Sequence, residues 1–459
     1  MKNKYIIRIA KCAFLLLVIL GTYHVLNYIA SDDSKVMTRI TFHDFYEAEK
    51  MDGIFIGPSH VYAGLNMVEL SELTGKEYYT ISTSSQETIA SYYALEEALE
   101  QHDLEEVYFE ISPSRMAVQS AERTTKLYIV TDYLKNSVRK WINMCEIYGM
   151  DGIINGALRL RRNFDSLSKN PVNWNTLNRK DEMYWNYETS VERYGYDYVG
   201  RGTWIREGSI AETPKLHKKT ENMELYEYID SSRIGQEEWE YVEKIVDICR
   251  ENEVKLTFFV MPFSDYWLEG YTNYTEFMSY MQAYAQENGV TWLDMNLASR
   301  EKLALDDSAF SDLDHLNRKG NAIVTRFLAE YINGKAGDCF YQNIEEKKAK
   351  DPSQSPVYGI EYECLFYDGA GMQVEKFDDT GYAKYIFKVV GKPDFEEEIR
   401  VFNSYTEPEG EILKGANFEV TPEGENSYSI KRYMDNYTRG LTVEVYEKGT
   451  DNCVYSAKL

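Results

Sequence analysis

Short apolar runs closed by turn residues and separated by amphipathic stretches set the tightest limit on how this chain can fold. GIFIG at Gly53–Gly57, YYTIS at Tyr78–Ser82 and VYFEIS at Val107–Ser112 read as buried strands. Between the last two, QETIASYYALEEALEQH places Ile89, Tyr92, Leu95 and Leu99 near one helical face. The helix EEWEYVEKIVDICREN, the strand KLTFFVMP, a helix around Phe277–Ala285 and the strand VTWLDMN continue the rhythm. Strands alternating with helices predict an α/β fold, with a parallel sheet covered on both faces.

Residues from about 116 to 232 break the alternation with basic, Trp- and Asn-containing sequence longer than a usual βα connection. They read as an insertion, either at the active-site edge or as a packing subdomain. The α/β domain therefore spans about 45–340, and 341–356, with its polar run EEKKAKDPSQSP, is the expected linker. From 357 to 459 the pattern turns to period two (AKYIFKVV, EEIRVF, NFEVT, YSIKR, LTVEVYE, CVYSA), which predicts a small antiparallel β-sandwich.

At the N-terminus Lys2, Lys4, Arg8 and Lys11 precede the apolar run Cys12–Ala30, a positive-inside pattern near the length needed to cross a bilayer. Thr22, His24 and Asn27 weaken its second half. A cleaved signal peptide is the rival reading, but cutting after Ala30 would put Tyr28 where a small residue is wanted. The expectation is a cytoplasmic segment 1–11, a membrane anchor 12–30 and exported domains beyond it.

The chain has 459 residues, 50 Lys and Arg against 75 Asp and Glu, and a formal net charge of −25, which repels phosphate backbones and argues against nucleic acid as a partner. Its 39 tyrosines suit glycan surfaces, but a Tyr-rich core and β-sheet is the reading to prefer because aromatics are favoured in strands. Six scattered cysteines show no C-x-x-C spacing, so no metal site is expected from them; Cys364 and Cys453 could pair, or all could be free thiols.

Two segments carry chemistry. In DGIFIGPSHVYAG, Ser59 follows the first strand at the sheet edge where α/β folds place ligand-handling groups. In FSDLDHLNRKG, Asp312 stands three residues before His315, ahead of a helix. A serine hydroxyl needs an imidazole to take its proton, and a carboxylate on the other ring nitrogen fixes the tautomer. Ser59, His315 and Asp312 are thus the candidate catalytic set. Asp314, adjacent to His315, is expected to point elsewhere, and His60 to be a ligand-edge or structural residue. His24, His43, His102 and His217 show no ligand spacing, and neither a metal nor a cofactor is expected.

GPSH early, D-x-x-HLN-x-KG late and the strands between them resemble the SGNH/GDSL hydrolase superfamily. More narrowly, they are similar to its membrane-anchored bacterial members, the D-alanyl-lipoteichoic acid transfer proteins and the anchored partners of membrane-bound O-acyltransferases. The resemblance covers about 45–340 without the insertion and implies a flavodoxin-like sheet. STSSQE replaces the expected oxyanion Gly block, leaving Ser84, Ser85 and Gln86 as candidate donors beside the Ser59 backbone N–H. EISPSR at Glu110–Arg115 replaces G-x-N-D, with no Asn.

The resemblance implies serine-dependent O-acyl transfer to a cell-envelope polysaccharide or polymer, with a membrane-bound O-acyltransferase as partner. A surface carbohydrate esterase or deacetylase, and a non-catalytic glycan-binding scaffold, are the alternatives.

Overall fold

The computed structural model describes residues 2–30, 36–116, 128–135, 138–164, 192–193, 195–219, 236–271, 273–353, 355–377, 380–391, 393–406, 412–433 and 440–459. Helix α1 (Lys2–Ile29) comes first, and α2 (Val36–Glu47) leads into the α/β domain. There β1 (Gly53–Gly57), β2 (Tyr78–Ser82), β3 (Glu106–Glu110), β8 (Lys255–Val260) and β9 (Thr291–Asp294) form one sheet in the order β2-β1-β3-β8-β9. Every pairing is parallel, with Ile56 opposite both Ile81 and Phe109. Counted within the sheet the order is 2-1-3-4-5, that of flavodoxin-like folds.

Alternation along the strands builds two cores. Ile54, Ile56, Val107, Phe109 and Phe258 face α5 (Thr88–Gln101), α8 (Gln236–Glu251) and α9 (Tyr274–Glu287). Phe55, Tyr78, Tyr108 and Phe259 face α3 (Ser59–Gly64), α4 (Met67–Thr74) and α10 (Arg318–Ile332). Each such side chain contributes roughly 1.5–3 kcal/mol of burial. The buried face of α5 runs through Ile89, Tyr93, Ala94, Leu95 and Ala98, while Tyr92 and Leu99 are only partly covered. The buried face is turned slightly from the expected one, with Tyr93 in place of Tyr92 against the core.

Within the insertion, α6 (Val138–Ala157, kinked at Gly149) and α7 (Arg159–Arg162) lie against the end of α1. The strands β4 (Glu192–Arg193), β5 (Tyr196–Gly200) and β6 (Thr203–Arg206) make a small antiparallel sheet. Trp204 and Tyr198 bury against Tyr62 and Ala63 of α3, so this part of the insertion packs under the serine-bearing helix.

The passage expected to be a linker is tied down. It contains α11 (Ile344–Lys350); Ile344 joins the α/β core, and the buried Lys347 donates to the Asn296 carbonyl at 2.7 Å. Polar bonds fix this strap, which is why apolar periodicity gave no sign of it. Beyond it stand two antiparallel sheets. One holds β10 (Val357–Tyr367), β11 (Gln373–Val374), β12 (Tyr382–Gly391), β15 (Thr421–Gly424) and β16 (Ser427–Tyr433). The other holds β13 (Glu397–Thr406), β14 (Ile412–Asn417), β17 (Gly440–Glu447) and β18 (Cys453–Lys458). Their inner faces share one core, including Phe387, Val389, Val401 and Val443. The strand β7 (His217–Lys218), from the insertion, adds to β10 in parallel. All six cysteines are free thiols, Cys364 and Cys453 included.

The loop before α10 is a short hairpin. Phe310 bridges Leu316, and the Ser311 N–H donates to the His315 carbonyl at 2.9 Å, so Asp312, Asp314 and His315 share its tip. Asn317 caps α10 by accepting from Gly320 N–H and donates to the Gly208 and Ser308 carbonyls. A Cβ on Gly320 would stand 2.2 Å from the Ala309 carbonyl oxygen, a backbone atom that cannot swing aside. Gly320→Ala should therefore destabilise the protein by about 1–3 kcal/mol, read as a lower urea midpoint; an unchanged midpoint would mean that the hairpin is not packed on α10 in this way.

Candidate active site

Helix α3 begins at Ser59 directly after β1, with Pro58 as its non-helical entry residue. Pro58 offers no side-chain cap, so the opening N–H groups of α3 face the sheet edge without a capping side chain. The His315 hairpin comes over this edge. Ser59 Oγ lies 2.7 Å from His315 Nε2, and His315 Nδ1 lies 2.9 Å from Asp312 Oδ1. Asp312 Oδ1 also accepts from the His315 backbone N–H at 2.8 Å, locking the carboxylate to the ring it faces. Residues 256 positions apart in sequence thus meet.

The same geometry corrects one expectation. Asp314 Oδ1 stands 2.9 Å from His315 Nδ1, so the adjacent carboxylate does reach the ring because the hairpin tip curls around it. Its other oxygen lies 3.2 Å from His60 Nε2, and His60 Nδ1 lies 3.0 Å from Glu110 Oε1. Of the two readings expected of His60, ligand-edge or structural, its partners agree with the structural one. It is buried, edge-on to Phe263, with its ring centroid 5.1 Å from that of His315. An unbroken row results: Glu110, His60, Asp314, His315, Ser59.

Charge follows from this row. A neutral imidazole has one N–H, yet His60 faces a carboxylate on each side. Burial pulls its pKa down, but the charge of Glu110 and the hydrogen bonds to Asp314 and Glu110 outweigh that and lift it to about 10. For His315 burial again opposes, and the bonds to Asp312 and Asp314 raise its pKa to about 9. Asp314 resists its own burial through its bonds to His315 and His60, which hold it far below the usual carboxylate range. Glu110 Oε2 is buried with no hydrogen-bond partner among the described residues. A Cβ on Gly57 would fall 2.8 Å from Glu110 Cβ and 3.0 Å from that oxygen, so only glycine at the strand's end admits this carboxylate.

Arg206, at the end of β6, completes the arrangement by donating to Asp312 Oδ2 at 2.7 Å while lying over the Tyr196 ring. The insertion thus supplies a site residue, which its irregular sequence did not reveal. A cleft of about 800 Å³ opens beside Asp312 and Arg206, lined by Tyr266 and Trp267 and, from the β-domain, by Glu361, Lys388 and Tyr455.

Of the three oxyanion candidates, Gln86 is committed elsewhere: its amide donates to the Ile81 carbonyl and to Ser91 Oγ, and its carbonyl accepts from Thr83. Ser84 is exposed, and Ser85 is half-buried with a left-handed φ of 52°. The donor atoms of His60, Asp314 and His315 lie within 4.8 Å of one another, close enough to consider a metal ion. The hydrogen-bonded row already engages both nitrogens of each ring and both oxygens of Asp314, and the proton exchange it offers is at its Ser59 Oγ–His315 Nε2 end. The missed signals were single residues: Glu110 at the close of VYFE, and Asp314 inside DLDH.

No family model matches the chain, and no curated protein matches it. Among solved structures, one described as an acylhydrolase from Bacteroides fragilis aligns with 64% of this chain and 94% of its own at 11% identity and a TM-score of 0.30.

Proposed function

We propose that this chain is a membrane-anchored, extracytoplasmic serine enzyme that transfers an O-acyl group to a cell-envelope polysaccharide or polymer. One observation carries the reading, the 2.7 Å contact between Ser59 Oγ and His315 Nε2 with Asp312 on the far nitrogen. Ser59 Oγ attacks the acyl carbonyl while its proton passes to His315 Nε2. His315 then returns that proton to the leaving oxygen, which frees the first alcohol and leaves an acyl ester on Ser59. An acceptor hydroxyl attacks the ester, giving its proton to His315, and the proton restores the Ser59 hydroxyl as the product leaves.

Throughout, Nδ1–H stays on the carboxylates, so the ring keeps the tautomer that accepts at Nε2. Oxyanion stabilisation falls to the Ser59 backbone N–H and to Ser84 or Ser85. The cleft beside Asp312 is of a size that takes an oligosaccharide-sized ligand, and its Tyr, Trp and charged lining suits a sugar chain. Helix α1 supports the anchor, since Tyr5–Ile29 is long and apolar enough to cross a bilayer. A membrane-bound O-acyltransferase would supply the acyl group from the cytoplasmic side.

A fluorophosphonate should label wild-type protein at Ser59, and Ser59→Ala or His315→Ala should each lose nearly all labelling, the double variant being little worse than either. Asp312→Asn should fold yet label far more slowly. Labelling that survives Ser59→Ala would remove the nucleophile assignment. With an activated ester as donor, a glycan acceptor should yield acylated glycan faster than free acid; equal free acid with and without acceptor would make the protein an esterase.

The pH dependence has a definite sign. The base works when His315 is neutral, and with its pKa near 9 the labelling rate should climb about tenfold per unit from pH 6 toward 9. Ser59, His60, Asp312 and Asp314 face this ring, with Glu110 behind His60 and Arg206 behind Asp312. Asp314→Asn removes an anion and should move the limb down by roughly one unit, whereas His60→Gln removes a cation and should move it up. Limbs that coincide in all three proteins would show that the row does not tune the base.

A further inference from the structure

The insertion helices carry a second surface, and its reading rests on the anchoring part of the proposal above. Every residue of α1 from Tyr5 to Thr22 is exposed, whereas Tyr23, Asn27 and Tyr28 are half-buried and Ala30 is buried. What covers them is the α6–α7 junction. The Tyr23 hydroxyl and the Asn27 amide both donate to the Ala157 carbonyl, at 3.0 and 2.9 Å. The Arg159 N–H donates to Asn27 Oδ1 at 3.1 Å, and Asn163 donates to the Ala30 carbonyl at 2.7 Å. Asn27, one of the polar residues that weaken the second half of the apolar run, therefore holds the insertion, together with Tyr23.

These bonds fix a height. From Arg8 to Asn27 a helix rises about 28 Å at 1.5 Å per residue, close to the roughly 30 Å thickness of a hydrocarbon core. With Arg8 at the inner boundary and Lys11 reaching back to it, Ala157 and Arg159 sit at the outer boundary. The surface there is apolar. Val138 and Ile142, then Met150, Ile154 and Leu158, recur at four-residue spacing on either side of the Gly149 kink, and Phe164 follows. Met150, Leu158 and Phe164 are 66%, 43% and 62% exposed. Outside α1, six of the eleven exposed large apolar residues among those described fall within 138–164, so this is a patch and not scatter.

Charge selects the partner. Between Val138 and Arg162 five basic residues stand against two acidic ones, in a chain of net charge −25. Arg159 and Arg162 close on Asp132, while Arg139 and Arg161 stay about half exposed at the rim, each beside one surface carboxylate, Glu100 and Asp151. An apolar stripe with basic residues at its rim, tied to the point where a spanning helix leaves the bilayer, is the arrangement of a helix lying in a lipid interface. We propose that α6 and α7 lie in the outer surface of the membrane beside α1, with their apolar stripe against acyl chains and their arginines among anionic headgroups. The α/β domain then stands on the bilayer at two supports and cannot swivel freely about α1.

The test places benzoylphenylalanine at single positions of the full-length protein in nanodiscs of phosphatidylcholine and phosphatidylglycerol. Leu15 of α1 reports the anchor; Met150, Leu158 and Phe164 report the proposed surface; Leu73 and Met372, exposed apolar residues elsewhere, are controls. Irradiation should give lipid adducts at 15, 150, 158 and 164 and none at 73 or 372. Adducts at 15 but not at 150, 158 or 164 would overturn the surface while leaving the anchor. Protein adducts at those three positions would overturn it in favour of a protein partner, and equal lipid capture at 73 and 372 would show no specific contact. No lipid at 15 would remove the anchor and this proposal with it.

Discussion

A buried row of alternating carboxylates and imidazoles holds the centre of this protein. Glu110 closes β3, His60 rides on α3, and Asp314 and His315 come from a hairpin far along the chain. The parallel sheet sets the first two side by side, because β1 and β3 are neighbours in register. Nothing in the sheet obliges the hairpin to join them. Asp314 draws it in: one of its oxygens lies 3.2 Å from His60 Nε2 and the other 2.9 Å from His315 Nδ1, and without it the second nitrogen of His60 would face only Phe263 and the His315 ring. A buried donor left without its partner typically costs about 1–3 kcal/mol. Hairpin closure and the placing of His315 on Ser59 are thus one event.

The sheet was legible in the sequence because strands buried on both faces have little freedom in composition. GIFIG, YYTIS and KLTFFV became β1, β2 and β8 with nearly the expected bounds. The approach of Ser59, Asp312 and His315 to one another was foreseeable as a candidate set because a hydroxyl, an imidazole and a carboxylate stand at strand and loop ends. Asp314 was misjudged by a rule about neighbours that holds for extended chain or helix and fails on a tight tip. Arg206 and the α11 strap could not be read at all, since both act through polar bonds to distant residues, and no periodicity records such bonds.

The insertion proves to be two things in one stretch. Its helices attach to α1, and its small sheet packs beneath α3 and extends Arg206 to Asp312. Position along the chain has been turned into position in height: the parts nearest the proposed bilayer surface and the part that touches the site belong to the same connection between β3 and α8.

That connection also runs outward into the β-domain. Beyond Arg206 the chain passes Lys215, which bridges Lys458, and the Leu216 N–H donates to the Lys458 carbonyl at 3.0 Å before β7 joins β10. Strand β18, last in sequence, is therefore laced to a segment only nine residues past the arginine that grips Asp312. A fusion or deletion that frays β18 would loosen that segment and, through it, the orientation of a carboxylate in a different domain. The β-domain and the candidate active-site edge are joined there by backbone bonds, by the β7–β10 pairing and by Leu216, which lies in the β-domain core.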